Sequence, residues 1–319
     1  MLPLMLGVLD AIAERVYESM PPTPQRRWPL LDARCRAAVW VKHEHQAPTG
    51  AFKVRGGLVY FHERVRGRRD IAGALAATRG NHGQSIAFAA AKYGVRCAIV
   101  VPHGNSADKN RAMKTLGAEL IERGHDFQAS LEAAAVIAEE RGWHMVPSFD
   151  ELLVRGVASY SLELLRAVSD LDTMYVPIGL GSGVCGAIAA RDALNRKTRI
   201  VGVVSSEAPA YARSLEKGRP VSCEARTRIA DGVACRTPHP DALDTIRHGV
   251  ERVVEVTDDE VEEAMRVVYD DTHCVVEGAA ATSVAALLRE RDRAAGRTVG
   301  VILTGCNVDR PQFARVLGA

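Results

Sequence analysis

The sequence predicts an α/β protein built from two open parallel-sheet domains with a ligand-binding cleft between them. From Gly73 onward, short apolar runs alternate with stretches of helical periodicity, an order that gives right-handed parallel βαβ units. A glycine-rich loop at 179–186 opens a second series of the same kind. With 319 residues, the chain has the length of two ordinary domains. Ligands bind such sheets at the carboxyl ends of the strands, so we expect the chemistry in the loops that follow them.

The elements can be predicted in chain order. An N-terminal amphipathic helix precedes a proline-rich loop at 21–24, and residues 221–240 have weak periodicity and are predicted to form a loop. The predicted strands are 37–42, 74–77, 95–101, 118–122, 144–146, 173–178, 199–204, 250–256 and 299–303; the predicted helices are 85–93, 109–116, 127–140, 157–168, one from the glycine loop to 194, 258–270 and 278–291. We expect 73–147 to form a small domain, and 1–72 with 148–319 to form a large one.

Composition and charge exclude several classes of protein. Hydrophobic residues make up 47% and charged residues 25% of the chain, as in ordinary globular proteins. A net charge of +2 gives no basic footprint for nucleic acid, and no apolar run reaches the length of a membrane span. The opening apolar segment lacks a basic leader, so we do not interpret it as a signal peptide. The seven cysteines are scattered without metal-site spacing, which favours reduced thiols in the cytoplasm.

Residues 48–57, PTGAFKVRGG, place a single lysine between two glycine-containing turns. Pro48 and Gly50 interrupt the preceding segment and allow a helix to begin near Lys53. The positive end of a helix dipole and the flanking Phe52 should both lower the pKa of this lysine. A neutral amine is what Schiff-base chemistry requires. The segment alone leaves open the alternative of a solvated lysine beside a turn.

Residues 78–84, TRGNHGQ, follow a predicted strand and precede a predicted helix. Two glycines expose backbone N–H groups, and the side chains add hydroxyl, amide and imidazole groups. Such a concentration of hydrogen-bond donors at the start of a helix suits a carboxylate ligand.

Residues 179–186, GLGSGVCG, follow another predicted strand and open a helix. Glycines let the backbone approach an anion, and the N–H groups of the helix start can hold a phosphate. Residues 181–186 also match the G-x-G-x-x-G pattern, with Glu207 about twenty residues on, where a dinucleotide site places its acidic residue. A nicotinamide-dependent dehydrogenase is therefore an alternative, although the pattern lies after a complete α/β unit that such an enzyme does not need for its cofactor.

Two further stretches carry polar groups that could form a site. Thr304 follows the last predicted strand, where a neutral hydroxyl can hydrogen-bond a heterocyclic nitrogen without protonating it. His43 and His45 flank Glu44 in a pattern that superficially resembles a metal cluster. Alternate residues on one strand face rarely complete a site alone, so we expect no metal here.

Taken together and in this order, these segments resemble the fold-type II pyridoxal-phosphate enzymes, most closely the serine/threonine dehydratase and serine racemase group. The resemblance covers nearly the whole chain and implies a tryptophan-synthase-β-like fold with the cofactor in the cleft. It makes Lys53 the catalytic lysine that binds the cofactor, and Glu277 part of the acidic segment beside the ring. The residues that it assigns to cofactor binding are Lys53, Phe52, Asn81, Gly179, Leu180, Gly181, Ser182, Gly183, Glu277 and Thr304; those that it assigns to the substrate are Thr78, Arg79, Gly80, Asn81 and His82.

The reaction that the resemblance implies is removal of water from an L-β-hydroxy amino acid such as threonine or serine, giving a 2-oxo acid and ammonia. A dehydratase specific for 3-hydroxyaspartate or phenylserine and a serine racemase remain alternatives. So do a β-replacement enzyme of the cysteine synthase kind, which His82 disfavours, and a non-catalytic binding protein, which Lys53 disfavours. We expect a small amino-acid substrate, a homodimer and no nucleic-acid or membrane partner.

Two departures from the group's pattern carry expectations. Arg79 stands where serine racemases have the serine that acts as the second base, and a guanidinium cannot serve as a base. We therefore expect elimination without racemisation, with Arg79 either contacting the substrate side chain or pointing to solvent. Arg213 replaces the second acid of the group's optional cation site, so we expect no metal there and consider a pair between Arg213 and Glu207 in its place.

Overall fold

A computed structural model describes residues 4–68 and 70–318. The helices are α1 (Leu6–Tyr17), α2 (Pro29–Cys35), α3 (Lys53–Tyr60), α4 (Asn81–Tyr93), α5 (Ala107–Thr115), α6 (Phe127–Arg141), α7 (Glu151–Ala167), α8 (Ser182–Ala193), α9 (Ala210–Glu216), α10 (Pro240–Gly249), α11 (Asp258–Thr272), α12 (Gly278–Arg289), α13 (Arg291–Ala294) and α14 (Arg310–Leu317). The strands are β1 (Gln25–Arg27), β2 (Ala38–Lys42), β3 (Ala74–Ala77), β4 (Cys97–Val101), β5 (Glu119–Glu122), β6 (His144–Met145), β7 (Thr173–Pro177), β8 (Arg199–Ser205), β9 (Arg252–Val256) and β10 (Thr298–Ile302).

The described strands form two sheets, as the alternation of strand and helix predicted. One sheet has six strands in the order β1-β2-β10-β7-β8-β9, and the other has four in the order β5-β4-β3-β6. Only β1, at the edge of the larger sheet, pairs antiparallel among these strands. Two parallel α/β sheets are therefore confirmed. The smaller sheet takes all its strands from residues 74–145.

Both faces of each sheet are covered, which explains why the central strands are continuous apolar runs. In the larger sheet, the adjacent residues Met174 and Tyr175 belong to two different cores on opposite faces. In the smaller sheet, Ala76 packs on the side of α4, while Leu75 packs on the side of α6. No described helix has the length and apolarity needed to cross a membrane.

Several helix starts differ from the prediction. Helix α7 was predicted from 157 but begins at Glu151, capped by Asp150, whose side chain accepts a hydrogen bond from the Leu152 N–H at 2.7 Å. The helix runs through Gly156. A glycine is needed at this position because the helix lies against α3, where a Cβ would come 2.4 Å from the Arg55 carbonyl oxygen. Helix α4, predicted from 85, begins at Asn81. A helical glycine can thus mark close helix packing and not a helix end.

Six further described elements were not predicted: β1, α2, α9, α10, α13 and α14. Strand β1 has three residues and α9 has seven, so neither gives a full period of an apolar pattern. Helix α10 begins at Pro240, at the end of the segment predicted as loop. The rest of that segment is irregular apart from a single 3₁₀ turn at Asp231–Val233.

Candidate functional site

Strand order brings three of the sequence-predicted segments together. Strands β2, β10 and β7 are neighbours and parallel, so their carboxyl ends lie at the same edge of the larger sheet. The chain leaves them toward Lys53, Thr304 and the loop before α8 respectively. The Phe52 N–H donates to the Thr304 carbonyl oxygen at 3.0 Å, which joins the first two segments directly. Thr304 itself is buried, at 5% exposure.

Lys53 is the first residue of α3, as predicted, and its amine faces the start of α8. Its Nζ donates to Ser182 Oγ at 3.1 Å and lies 4.9 Å from the centre of the Phe52 ring. Burial lowers the pKa of Lys53 to about 8, against the charge of Glu277, which raises it. The predicted direction is thus found, with desolvation as its main cause. The residue as a whole is half-buried and is not fully enclosed.

The glycine loop ends in an open helix N-terminus. Gly181 has φ +103, a conformation that favours glycine, and α8 begins at the next residue, Ser182. A Cβ at Gly179 would come 2.4 Å from the Gly232 carbonyl oxygen, so this turn is closely backed by other protein segments. The first N–H groups of a helix have no intrahelical partners, and here they stand beside the Ser182 hydroxyl and the lysine amine. This arrangement fits an anion such as a phosphate.

The loop after β3 faces the same region from the smaller sheet. Thr78 Oγ1 accepts hydrogen bonds from the N–H groups of Gly80 at 2.9 Å and Gly83 at 3.3 Å, which fixes the turn before α4. The Ser85 hydroxyl, one turn into α4, donates to the Lys53 carbonyl oxygen at 2.6 Å. The start of α4 therefore lies next to the start of α3. Arg79 is the exposed residue of this loop.

Asn81 connects the loop to the larger sheet. Its amide Nδ2 donates to Glu277 Oε1 at 2.7 Å, and its Oδ1 accepts from Asn307 Nδ2 at 2.8 Å. Asn307 Nδ2 also donates to the Thr49 carbonyl oxygen at 2.9 Å, in the segment that leads to Lys53. Hydrogen bonds therefore connect Asn81, Glu277 and the segment that leads to Lys53. The sequence analysis named Asn81, Glu277 and Lys53 but did not predict these hydrogen bonds.

Glu277 Oε2 and His82 Nε2 are buried and have no hydrogen-bond partner within the described residues. Burial raises the pKa of Glu277 to about 7, although Lys109, Asn81 and Lys53 act in the opposite direction. Burial and the charge of Lys53 lower the pKa of His82 to about 3, so its ring is neutral. Buried polar atoms are rarely left unpaired in proteins, so both are suited to contact a bound molecule.

One pair beside the site was missed by the sequence reasoning. Lys109, on α5, is 8% exposed, and its Nζ donates to Asp231 Oδ2 at 2.8 Å. Burial lowers the pKa of Lys109, but Asp231 and Glu277 raise it more, so the net direction is upward. The pair joins the smaller-sheet unit to the 3₁₀ turn at Asp231–Val233. Neither residue lies in a recognisable pattern, and 122 positions separate them, so the sequence offered no signal.

A buried ion network anchors the lysine helix, and it too was missed. Arg55, which is fully buried, donates from Nε to Glu44 Oε2 at 2.7 Å and from Nη1 to Glu163 Oε1 at 2.6 Å. Lys42 pairs with the second oxygen of Glu163. Each charge thus has an opposite partner, as burial requires. The network fixes α3 to α7 and to the end of β2. Its central residue, Arg55, lies two residues after Lys53 in α3.

Two expectations about cations and histidines are corrected. Arg213 does not pair with Glu207: it contacts Glu216 at 3.1 Å and Glu255 at 3.5 Å, because it lies on α9 near β9. His43 and His45 do not alternate on a strand, because β2 ends at Lys42 and His45 lies in a 3₁₀ turn at Glu44–Gln46.

Comparison with known proteins agrees with this geometry. The profile of one family, described as "Pyridoxal-phosphate dependent enzyme", matches residues 16–305. The L-threonine ammonia-lyase of Geobacter sulfurreducens is 34% identical over 273 residues, which are 85% of this chain and 67% of that protein. Several relatives are longer than this chain, which spans 60 to 69% of three of them.

Solved structures resemble the whole chain. A threonine deaminase from an organism abbreviated T.th. superposes with a TM-score of 0.88 at 31% identity, covering 96% of this chain and 99% of that one. Maize serine racemase superposes with a TM-score of 0.89 at 25% identity, covering 99% and 98%.

Proposed function

Because the chain belongs to the family of pyridoxal-phosphate dependent enzymes, we propose that it is an ammonia-lyase that dehydrates an L-β-hydroxy amino acid. The observation that carries the proposal is the Lys53 amine, which has a lowered pKa and lies 3.1 Å from Ser182 at an open helix N-terminus. The similarity to threonine ammonia-lyases supports the reaction class. Pyridoxal phosphate, and not a nicotinamide, is the cofactor of this family.

The residues present fit this cofactor. The N–H groups at the start of α8 and the Ser182 hydroxyl suit its phosphate, and the neighbouring Lys53 amine suits its aldehyde. We propose that Phe52 flanks the ring and that the Thr304 hydroxyl faces the pyridine nitrogen. Asn81, held by Glu277 at 2.7 Å, would contact the ring hydroxyl. The unpaired atoms of Glu277 and His82 support a bound molecule in this cleft.

The chain's own groups would then orient the substrate and move one proton. The N–H groups at the start of α4, with Thr78 and Asn81, would bind the substrate carboxylate. The bound cofactor would supply an electron sink for the pair released at the α-carbon. The neutral Lys53 amine would accept the α-proton, and the β-hydroxyl would leave with a proton as water. The resulting enamine hydrolyses to a 2-oxo acid and ammonia, which balances the reaction.

Racemisation is the second candidate, because serine racemase is among the structural relatives. Its chemistry needs a base on the face opposite Lys53. Arg79 holds the corresponding position in the loop, and a guanidinium cannot serve as a base. We therefore propose elimination without appreciable racemisation, and leave 3-hydroxyaspartate and phenylserine among the substrates to be tested.

We further propose the domain division 73–147 against 1–72 with 148–319, with the smaller domain presenting the substrate loop. The placement of the four-stranded sheet supports it. A homodimer in the cytoplasm is proposed from the resemblance, and the free state of all seven cysteines is consistent with a reducing compartment. Light scattering on purified protein tests the dimer.

The deciding experiment combines a substrate panel with identification of the reactive lysine. Release of 2-oxo acid is measured for threonine, serine, 3-hydroxyaspartate and phenylserine, with wild type and Lys53→Ala. We expect activity on at least one substrate, and its loss in the folded variant. Borohydride reduction followed by peptide mapping should place the cofactor on Lys53. Modification of another lysine, or no elimination across the panel by cofactor-loaded protein, would refute the proposal.

A further inference from the structure

Behind the lysine segment lies a cluster of potential metal ligands that the proposed reaction does not use. His43 and His45 lie just after β2, and Cys274 lies just after α11. One ring nitrogen of each histidine and the Cys274 Sγ all lie within 4.8 Å of one another. The third ligand comes from a segment 229 positions along the chain, and for that reason the sequence pattern around Glu44 looked incomplete.

The chemical state of the two histidines suits metal binding. His43 is fully buried and His45 is 9% exposed, and the Nδ1 atom of each finds no hydrogen-bond partner in the described part of the chain. A neutral imidazole with an unpaired ring nitrogen is the form that binds metals. Two unpaired ring nitrogens are otherwise costly in a protein interior.

We propose that His43, His45 and Cys274 bind a divalent ion of the zinc class. Two imidazoles and one thiolate are a donor set that zinc prefers, with a water or another ligand completing a tetrahedron. Zinc bonds of about 2.0–2.1 Å to nitrogen and 2.3 Å to sulfur place two nitrogens and one sulfur about 3.3–3.6 Å apart in a tetrahedron. The three ligand atoms now lie within 4.8 Å of one another, so each pair needs to approach by at most about 1.5 Å. On binding, the Cys274 thiol loses its proton to solvent, and the metal–sulfur bond forms.

Binding has a local consequence that can be measured. Trp28 donates its indole N–H to His43 Nε2 at 3.2 Å, so the neutral ring carries its proton on Nδ1. A metal on Nδ1 requires the proton to move to Nε2, and a metal on Nε2 displaces the indole directly. In either case this hydrogen bond breaks and Trp28 must reorient. The loss of this one hydrogen bond is small beside the binding free energy of a zinc site.

The position of the ion indicates a structural role. Cys274 lies three residues before Glu277, and His45 lies eight residues before Lys53. Backbone hydrogen bonds already join these segments to the end of β10: the His45 N–H donates to the Leu303 carbonyl oxygen at 2.9 Å, and the Glu277 N–H donates to that of Gly305 at 3.1 Å. An ion bound by His45 and Cys274 would cross-link the two segments that carry Lys53 and Glu277.

The test measures metal directly, on cofactor-loaded protein without a polyhistidine tag. Metal content is determined by mass spectrometry, and Co²⁺ is titrated into protein stripped with a chelator. Tetrahedral cobalt with a thiolate ligand gives visible d–d bands and a sulfur-to-metal charge-transfer band. The variants are Cys274→Ser and His45→Gln. The matched control is His273→Asn, which changes an exposed neighbour in a left-handed conformation that asparagine tolerates.

We expect one ion per chain, cobalt bands with charge-transfer intensity, and a change in tryptophan fluorescence on binding. Cys274→Ser should lose the charge-transfer band and weaken binding at least about 100-fold, while His273→Asn should match the wild type. Absence of cobalt bands in wild type at excess metal would overturn the proposal. So would equal cobalt spectra in wild type and Cys274→Ser. If His45→Gln fails to fold, the wild-type titration and the serine variant still decide.

Discussion

Reactivity of Lys53 across pH gives a direct measure of how far the fold prepares this amine. Burial lowers its pKa from 10.5 to about 8. At pH 7 the neutral fraction then rises from about 0.03% to about 9%, roughly 300-fold. The sign is that of a buried base: the reactive neutral form is populated above the lowered pKa and lost as pH falls through it. Glu277 raises this pKa, so Glu277→Gln should move the profile to still lower pH.

The assay is competitive labelling of cofactor-free protein with a limiting amine-reactive reagent between pH 6 and 10, with modified peptides quantified by mass spectrometry. Lys217, which is exposed, is the internal standard. We expect the Lys53 peptide to reach its plateau near pH 9, well before the standard does. If Lys53 followed Lys217 across the whole range, the inference of a desolvated amine would be refuted. A profile shifted upward in Glu277→Gln would refute the role given to the carboxylate.

Three further outcomes follow from the ion pairs and the cleft loop. Glu44→Gln should destabilise the protein by about 3–5 kcal/mol, since it leaves part of the buried Arg55 charge uncompensated. Thermal unfolding measures this loss of stability, and an unchanged midpoint would contradict a stabilising role for the Glu44–Arg55 pair. A double-mutant cycle of Lys109→Met and Asp231→Asn should give a coupling of about 1 kcal/mol, because Asp231 is 39% exposed and screened; zero coupling would mean the pair is incidental. Arg79→Ser should leave elimination measurable and should alter either racemisation or substrate preference. Chiral chromatography across the substrate panel measures both. Appreciable racemisation by the wild type would contradict the stereochemical proposal.

Local patterns were enough for most of the fold because they report short-range physics. The buried run at 74–77 and the alternation from Gly73 to 147 fix a parallel sheet, since each strand must be covered on both faces. The start of α3 at Lys53 was also readable, because proline and glycine before it interrupt the preceding segment. The start of α7 at Glu151 was not predicted. Gly156, inside this helix, packs against α3, a contact that depends on a partner helix about a hundred positions away.

The sequence by itself predicted the two-sheet α/β architecture, the helix that begins at Lys53, and the loops that begin at Thr78, Gly179 and Thr304, because strand periodicity and turn residues are local properties. Only the tertiary structure decided which side chains meet: Asn81 with Glu277, Lys109 with Asp231, and Cys274 with the two histidines. The physical reason is that these contacts depend on strand order and on exact loop paths. Burial, which sets the charge state of Lys53 and of the histidines, likewise exists only once distant segments have packed around them.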